Sequence, residues 1–458
     1  MDEITAKLLQ IQKYFESGAT RPYSARKERL QSLKQAIKDH EEEIYAVLYA
    51  DLKKSKEESY ATELGLVYAE LNNCIKHLRQ WMEPVDTGTD ILNLPSKSTI
   101  YKDPLGVVLI ISPWNYPFQL LFIPMVGAIA AGNCVVLKPS ETAPATEAII
   151  EKIITKTFQV DFALTVKGEG AKVVPAMINN FRFDHIFYTG STAVGKSIYK
   201  MAAEELVPVT LELGGKSPCI VEEDANLTVA AKRITMGKFI NAGQTCIAPD
   251  YLLVHEKIMD QFISKMKSTI DKFYTNDPST SYDYGKIISA GRFDKLVSYL
   301  SNGHVVHGGD FDKESSYIAP TLLTEVSVDA AIMQDEIFGP ILPIISYKTM
   351  DEALAVIKKN PNPLAFYLFT SSNKKEEEWM SRVAFGGGCV NNTAWHFTNH
   401  HFAFGGIGES GIGAYHGKHS FDLFTHRKPV LKTPTWFDPA IKYPGFKGKL
   451  GMLKLFIK

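Results

Sequence analysis

Residues 104–137, PLGVVLIISPWNYPFQLLFIPMVGAIAAGNCVVL, contain no charged side chain. About 20 such residues are enough to cross a bilayer as a helix, so the first question is whether this stretch spans lipid. Its punctuation says otherwise. Pro113, Asn115 and Pro117 stand together in mid-run, where a lipid-exposed helix would lose backbone hydrogen bonds that it cannot replace. The β-rich GVVLIIS before them and NCVVLK after Gly132 read as buried strands, with a helix over 118–131 between. Continuously apolar strands flanking a helix mark a parallel sheet covered on both faces. The stretch predicts a β-loop-α-β unit.

The same rhythm continues outward. Strand and helix signals alternate to about residue 221 through a helix at 146–158, ALTVKG, HIFYTG, a helix after Gly195, VPVTLELG and SPCIVEE. That alternation specifies a doubly wound α/β domain. A second α/β series follows, with YLLVH, YIAPTLLTEV, GPILPIISY, LAFYLFT and GGCVNN separated by helical stretches such as 257–273 and 350–359. Two α/β domains with a cleft between them is the simplest architecture. Upstream, residues 24–50 and 57–83 place Leu30, Leu33, Ile37, Ile44, Val47 and Leu48 at helical spacing and read as scaffold helices.

Composition narrows the function. With Lys+Arg at 50 against Asp+Glu at 51, no field of one sign draws nucleic acid or an acidic partner. The acidic start, MDEITAKLLQIQKYF, lacks the basic region, apolar core and cleavage site of a secretory signal, so a cytoplasmic location is expected. Five cysteines without a C-x-x-C pair suggest free thiols rather than a disulfide framework or a zinc ribbon.

Four places carry chemistry. Residues 190–197 match G-x-x-x-x-G-K-[ST], the phosphate loop of nucleotide hydrolases, between a strand and a helix. An ATPase is therefore the alternative reading, with CIVEED as its nominal magnesium site; the late position of the loop in its domain and the short GSTAVG favour a dinucleotide phosphate instead. Cys246, in FINAGQTCIAPD, lies on a turn of small and polar residues where backbone amides can lower a thiol pKa. Cys134, Cys219 and Cys74 suit buried apolar roles better. Glu212 ends a strand before Gly214 and Gly215, and beside an activated thiol it becomes a candidate general base. Asn115, on a proline-stiffened loop, offers an amide to an oxyanion, or merely caps a helix. His396, His400 and His401 raise the question of a metal, but no carboxylate or thiol is spaced as in a zinc site, and no metal is expected. Their aromatic neighbours read as the mouth of a substrate tunnel.

The motifs PWNYP, KPSE, YTGSTAVGK, LELGGKSP, NAGQTC, EIFGP and FGGIGESGIG, in that order and over nearly the whole chain, resemble the aldehyde dehydrogenase superfamily. LKPSE and YHGKHSFDLFTHRK are similar to its class-three branch. The resemblance implies an α/β chain with a Rossmann-like cofactor domain (1–84 and 104–212), an α/β catalytic domain (213–410), and a β oligomerisation arm with a C-terminal tail (85–103 and 411–458). It implies NAD or NADP, an apolar aliphatic or aromatic aldehyde, and a homodimer. Cys246 would attack the aldehyde, the Asn115 amide and the Cys246 N–H would hold the oxyanion, hydride would pass to the nicotinamide, and Glu212 would activate water against the thioester. Lys138, Ser140 and Glu141 would meet the adenosine ribose, with Lys138 also able to meet a 2′-phosphate. Gly190, Ser191 and Gly195 would border the pyrophosphate, and Trp114, Glu336 and Phe338 the nicotinamide half. A catalytically dead relative would be expected to lack one of Cys246, Glu212 and Asn115. The basic, apolar tail FKGKLGMLKLFIK is too short to span a membrane; it could touch one peripherally or pack on a second subunit.

Overall fold

The computed structural model describes residues 2–456. Val107–Ile111 and Cys134–Lys138 are parallel neighbours with Val107 opposite Cys134, and every residue of the connecting helix Gln119–Ala131 is buried. The uncharged run is thus the interior of an α/β layer, its strands covered on both faces. Around it the sheet runs in the order Gly411–Ile412, Val209–Glu212, His185–Thr189, Val107–Ile111, Cys134–Lys138, Ala163–Thr165. All pairings are parallel except at the Gly411–Ile412 edge. The winding reverses between Val107–Ile111 and His185–Thr189, which opens a crevice at their carboxyl ends.

Helices Tyr23–Asp39, Glu41–Leu52 and Gly65–Met82 bury Leu30, Leu33, Ile37, Ile44, Leu48 and Leu71 in the core of this first domain. The expected helix at 24–50 is broken at His40, and the second piece opens with Glu41, Glu42 and Glu43, acids that favour a helix start. Residues 411–424, grouped with the arm and tail in the sequence reading, close this core instead: Gly411 pairs with Glu212, and Tyr415, Phe421 and Phe424 are buried in it.

The second domain is a seven-stranded sheet in the order His304–His307, Thr321–Thr324, Ile341–Tyr347, Tyr251–His255, Pro218–Val221, Ala365–Phe369, Gly387–Val390. It is parallel except at its first edge. A third, antiparallel sheet joins Val85–Thr87, Lys97–Pro104 and Thr425–Lys432, and it leaves Val85, Tyr101, Val430 and Leu431 exposed. The last described element is the short helix Leu450–Phe456. Among the described residues no helix is long and apolar enough to cross a membrane.

Candidate active site

A cleft of about 690 Å³ opens where the two domains meet. The first domain lines it with residues that follow strand ends: Trp114 and Asn115 after Val107–Ile111, Gly190 and Ser191 after His185–Thr189, and Glu212 at the end of Val209–Glu212. The second domain contributes Cys246, Arg292, Glu336 and Phe338. The rings of Trp114 and Phe338 meet edge-on at 5.3 Å.

Cys246 hangs on a tightly wound turn. After helix Leu227–Phe239 the backbone enters the left-handed region at Asn241 (φ 52), Ala242 (φ 50) and Gly243 (φ 74). At Gly243 a Cβ would stand 2.2 Å from the Gly339 carbonyl, so only glycine fits. Ala242 has no such excuse, and a strained residue of this kind persists only where its surroundings hold it. Here Glu58 Oε1 accepts from the Asn241 N–H at 2.9 Å. The Gln244 side chain donates to Asn241 O at 3.0 Å and Lys286 O at 2.9 Å, and accepts from the Ile288 N–H at 3.1 Å.

The thiol behaves differently from the sequence expectation. The Cys246 and Ile247 N–H groups do favour its thiolate, but burial first, then the charges of Glu336 and Glu212, outweigh them and push the thiol up to about 12. Glu212 is 2% exposed, neither of its oxygens has a hydrogen-bond partner, and burial raises its pKa well above the carboxylate range. Asn115 is also 2% exposed; its amide donates to Gln244 O at 3.1 Å, which leaves one N–H uncommitted.

A second cavity, about 180 Å³, also borders Cys246. Its walls include Tyr116, Met236, Ile247, Trp395, Phe397 and Phe404. Cys246 and Leu120 line both cavities. Beside the sulfur, Tyr116 Oη and Thr245 Oγ1 share a hydrogen bond of 2.6 Å.

The Aldehyde dehydrogenase family profile matches residues 2–430. The chain belongs to the aldehyde dehydrogenase family. It is 45% identical over its whole length, and the whole length of the relative, to 4,4'-diaponeurosporen-aldehyde dehydrogenase of Staphylococcus aureus. It is 42% identical to the mouse (Mus musculus) aldehyde dehydrogenase described as dimeric and NADP-preferring, across 98% of this chain and 99% of that one. A solved structure of the substrate-bound state of Staphylococcus aureus AldH superimposes with a TM-score of 0.97 at 44% identity, covering 99% of each chain. The protein is an aldehyde dehydrogenase of the class-three type that oxidises aldehydes to carboxylic acids with NAD or NADP.

The cleft of this aldehyde dehydrogenase fits a dinucleotide. Thr189 Oγ1 is buried on its wall without a partner, and Ser191, the N-cap of helix Thr192–Glu204, does not cap that helix with its side chain. Free N–H groups at the helix start are therefore left for a phosphate. At Gly214 a Cβ would meet Glu336 Oε2 at 2.1 Å, so the missing side chain makes room for that carboxylate. Gly195 packs against Leu213, where a Cβ would stand 2.6 Å from Cδ2.

Lys138, Ser140 and Glu141 do not line the cleft itself. They lie at the carboxyl end of Cys134–Lys138, the next strand of the sheet, where Lys138 donates to Glu141 Oε2 at 3.0 Å and Glu141 Oε1 accepts the Gly170 N–H at 2.7 Å. His400, one of the three histidines considered for a metal, pairs with Glu70 at 3.6 Å, and His396 Nδ1 stands 3.6 Å from the Cys389 thiol.

The phosphate-hydrolase pattern finds no support. The helix expected after Gly195 begins at Thr192, so the residues that would wrap a phosphate are already helical. Lys196 is 59% exposed and paired with Glu409 at 2.8 Å. The match is one of letters, without the loop that gives those letters their function.

Two cationic residues escaped the sequence reading. Arg292 donates to the carbonyls of Ile337 (2.7 Å) and Phe338 (3.2 Å), holding Phe338 at a φ of 50. Lys216, inside LELGGKSP, is buried and bonds Asp250 at 2.6 Å and the carbonyls of Ile332 and Asp335 at 2.7 and 2.8 Å. Both shape the segment that presents Glu336. A lone Arg in ISAGRFDK has no local pattern to mark it.

Proposed function

We propose that Cys246 is the nucleophile, Asn115 the oxyanion donor and Glu212 the base for water, acting on an apolar aldehyde that enters through the narrow tunnel. The observation that carries this reading is the position of the sulfur at the junction of the tunnel and the cleft. Substrate in the tunnel and cofactor in the cleft can then meet at one side chain.

The steps follow from the residues. The Cys246 thiol first loses its proton to solvent through the open cleft; the thiolate then forms a C–S bond to the aldehyde carbon, and the carbonyl π pair moves onto oxygen. That oxyanion meets the remaining Asn115 N–H and the Cys246 backbone N–H, donors already fixed in place before reaction. A nicotinamide held beside Trp114, Glu336 and Phe338 would supply the hydride acceptor, and loss of hydride from the adduct leaves the acyl group on the Cys246 sulfur as a thioester. Glu212, free of competing hydrogen bonds, takes a proton from water; hydroxide adds to the thioester carbon and the C–S bond breaks, releasing the acid and regenerating the thiolate.

On the cofactor side, Trp114, Glu336 and Phe338 hold the nicotinamide half, Gly190 and Ser191 border the pyrophosphate, Gly195 lets the helix pack close, and Lys138, Ser140 and Glu141 take the adenosine ribose. The staphylococcal relative is named for 4,4'-diaponeurosporen-aldehyde; here the aromatic and aliphatic tunnel wall supports an apolar aliphatic or aromatic aldehyde. The exposed three-stranded arm supports a homodimer, with the tail packing on the partner or touching a membrane surface. A spectrophotometric scan at 340 nm of aliphatic and aromatic aldehydes against NAD and NADP tests the reading; preference for small polar aldehydes would overturn it.

A further inference from the structure

Behind the oxyanion loop lies an ion pair sealed from water. Lys54 and Glu63 have fully buried side chains (0% exposed) and meet at 2.6 Å. Burying two charges costs several kcal/mol each, and such a pair contributes little net stability compared with apolar residues of the same shape. Its retention asks for another reason, and its remaining contacts supply one.

Lys54 Nζ also donates to the carbonyl oxygen of Asn115 at 2.9 Å and stands 3.9 Å above the ring of Tyr116. Glu63 Oε2 accepts the N–H groups of Phe118 at 3.0 Å and Gln119 at 2.9 Å, which open helix Gln119–Ala131. The pair therefore grips the loop on both sides of Pro117. Asn241, on the strained turn that carries Cys246, donates to the same Asn115 carbonyl at 2.8 Å. With its carbonyl held by two donors, the Asn115 peptide plane is fixed, and so is the direction in which its side chain leaves the backbone.

Local structure explains how Glu63 arrives there. Tyr60–Leu64 is a turn of π-helix inserted between Lys56–Ser59 and Gly65–Met82. Such an insertion shifts every following side chain around the helix, and it occurs often at functional sites. Gly65 makes it possible: a Cβ there would stand 2.7 Å from the Tyr60 carbonyl.

We infer that the buried Lys54–Glu63 pair is a positioning device for the oxyanion amide of Asn115. The inference rests on the reading of Asn115 as the oxyanion donor. The test is a mutant cycle on the full-length enzyme. Lys54→Met/Glu63→Gln removes both charges, keeps the side-chain volumes and leaves one acceptor for the Phe118 and Gln119 N–H groups. It is expected to lower kcat about 10- to 100-fold, the scale of a misplaced catalytic group, with cofactor KM and the iodoacetamide reactivity of Cys246 unchanged. In an Asn115→Ala background the same two substitutions are expected to lower kcat less than about twofold, because the group that they position is gone. A merely structural role would give the full loss in both backgrounds, and that result, or a wild-type kcat in the Lys54→Met/Glu63→Gln enzyme, overturns the inference. A wild-type kcat in Asn115→Ala alone instead removes the oxyanion reading beneath it. If the paired variant does not fold, Glu63→Gln alone goes through the same cycle.

Discussion

The carboxyl of Glu212 and the thiol of Cys246 open into one cleft, and the charge of the first raises the proton affinity of the second. Glu336 acts on the thiol in the same sense, and burial acts more strongly than either. Together they hold the thiol in its protonated form at neutral pH. With the thiol pushed up to about 12, alkylation of Cys246 by iodoacetamide in cofactor-free protein should run on the order of 10³-fold slower at neutral pH than that of a free cysteine. The rate should climb steadily with pH. Glu212→Gln should raise it at alkaline pH, since a negative neighbour is removed. Labelling followed by mass spectrometry reads both effects, and a plateau near pH 8 would show that the thiol is already ionised.

Asn115→Ala should lower kcat on the order of 10²–10³-fold, the usual loss on deleting one oxyanion donor. Cofactor affinity should be unchanged. Cys246→Ser should lose turnover, because a serine hydroxyl is a much weaker nucleophile at neutral pH. Steady-state kinetics with a separate cofactor titration measures both.

Glu212→Gln should give a burst of NADH followed by slow turnover, because acylation needs only the thiol while hydrolysis needs the base. It should also change the pH dependence of stability. Burial raises the folded-state pKa of Glu212 above its ordinary 4.5. The stability tied to its bound proton is therefore complete below the unfolded-state pKa and is lost as pH rises through the folded-state value. Wild type should fall behind the variant by more at pH 8 than at pH 5. Thermal unfolding at the two pH values decides it; equal gaps would mean that Glu212 is solvated.

Lys196→Ala should cost at most about 1 kcal/mol of stability, as expected for an exposed ion pair with Glu409. Aldehyde oxidation should persist. Phosphate release from magnesium-ATP should stay at background in wild type and variant alike, and ATP turnover abolished by this substitution would revive the phosphate-loop reading.

For straight-chain aldehydes, kcat/KM should rise about fourfold per added methylene while the tunnel fills, the equivalent of ~0.8 kcal/mol of buried CH₂. Met236→Trp, which narrows the wall, should end that rise at a shorter chain. A series from propanal to decanal measures it.

Much of this protein is legible from the chain alone. Period and punctuation around Pro113 and Pro117 determine a covered parallel sheet, because a strand buried on both faces must be apolar throughout and a lipid-exposed helix tolerates no such breaks. The seven ordered motifs resemble the aldehyde dehydrogenase superfamily, and that resemblance points to Cys246, Glu212 and Asn115 as site residues. What the chain alone does not determine is set by contacts between distant segments. The raised pKa of Cys246 comes first from burial and then from Glu336 and Glu212, which are far from it in sequence. Lys54 and Glu63 look like ordinary surface charges in the sequence until folding buries them against the loop that carries Asn115. The phosphate-loop letters at 190–197 lose their meaning because the helix starts at Thr192. Burial and proximity govern pKa, pairing and loop shape, and both are properties of the packed chain that no local pattern encodes.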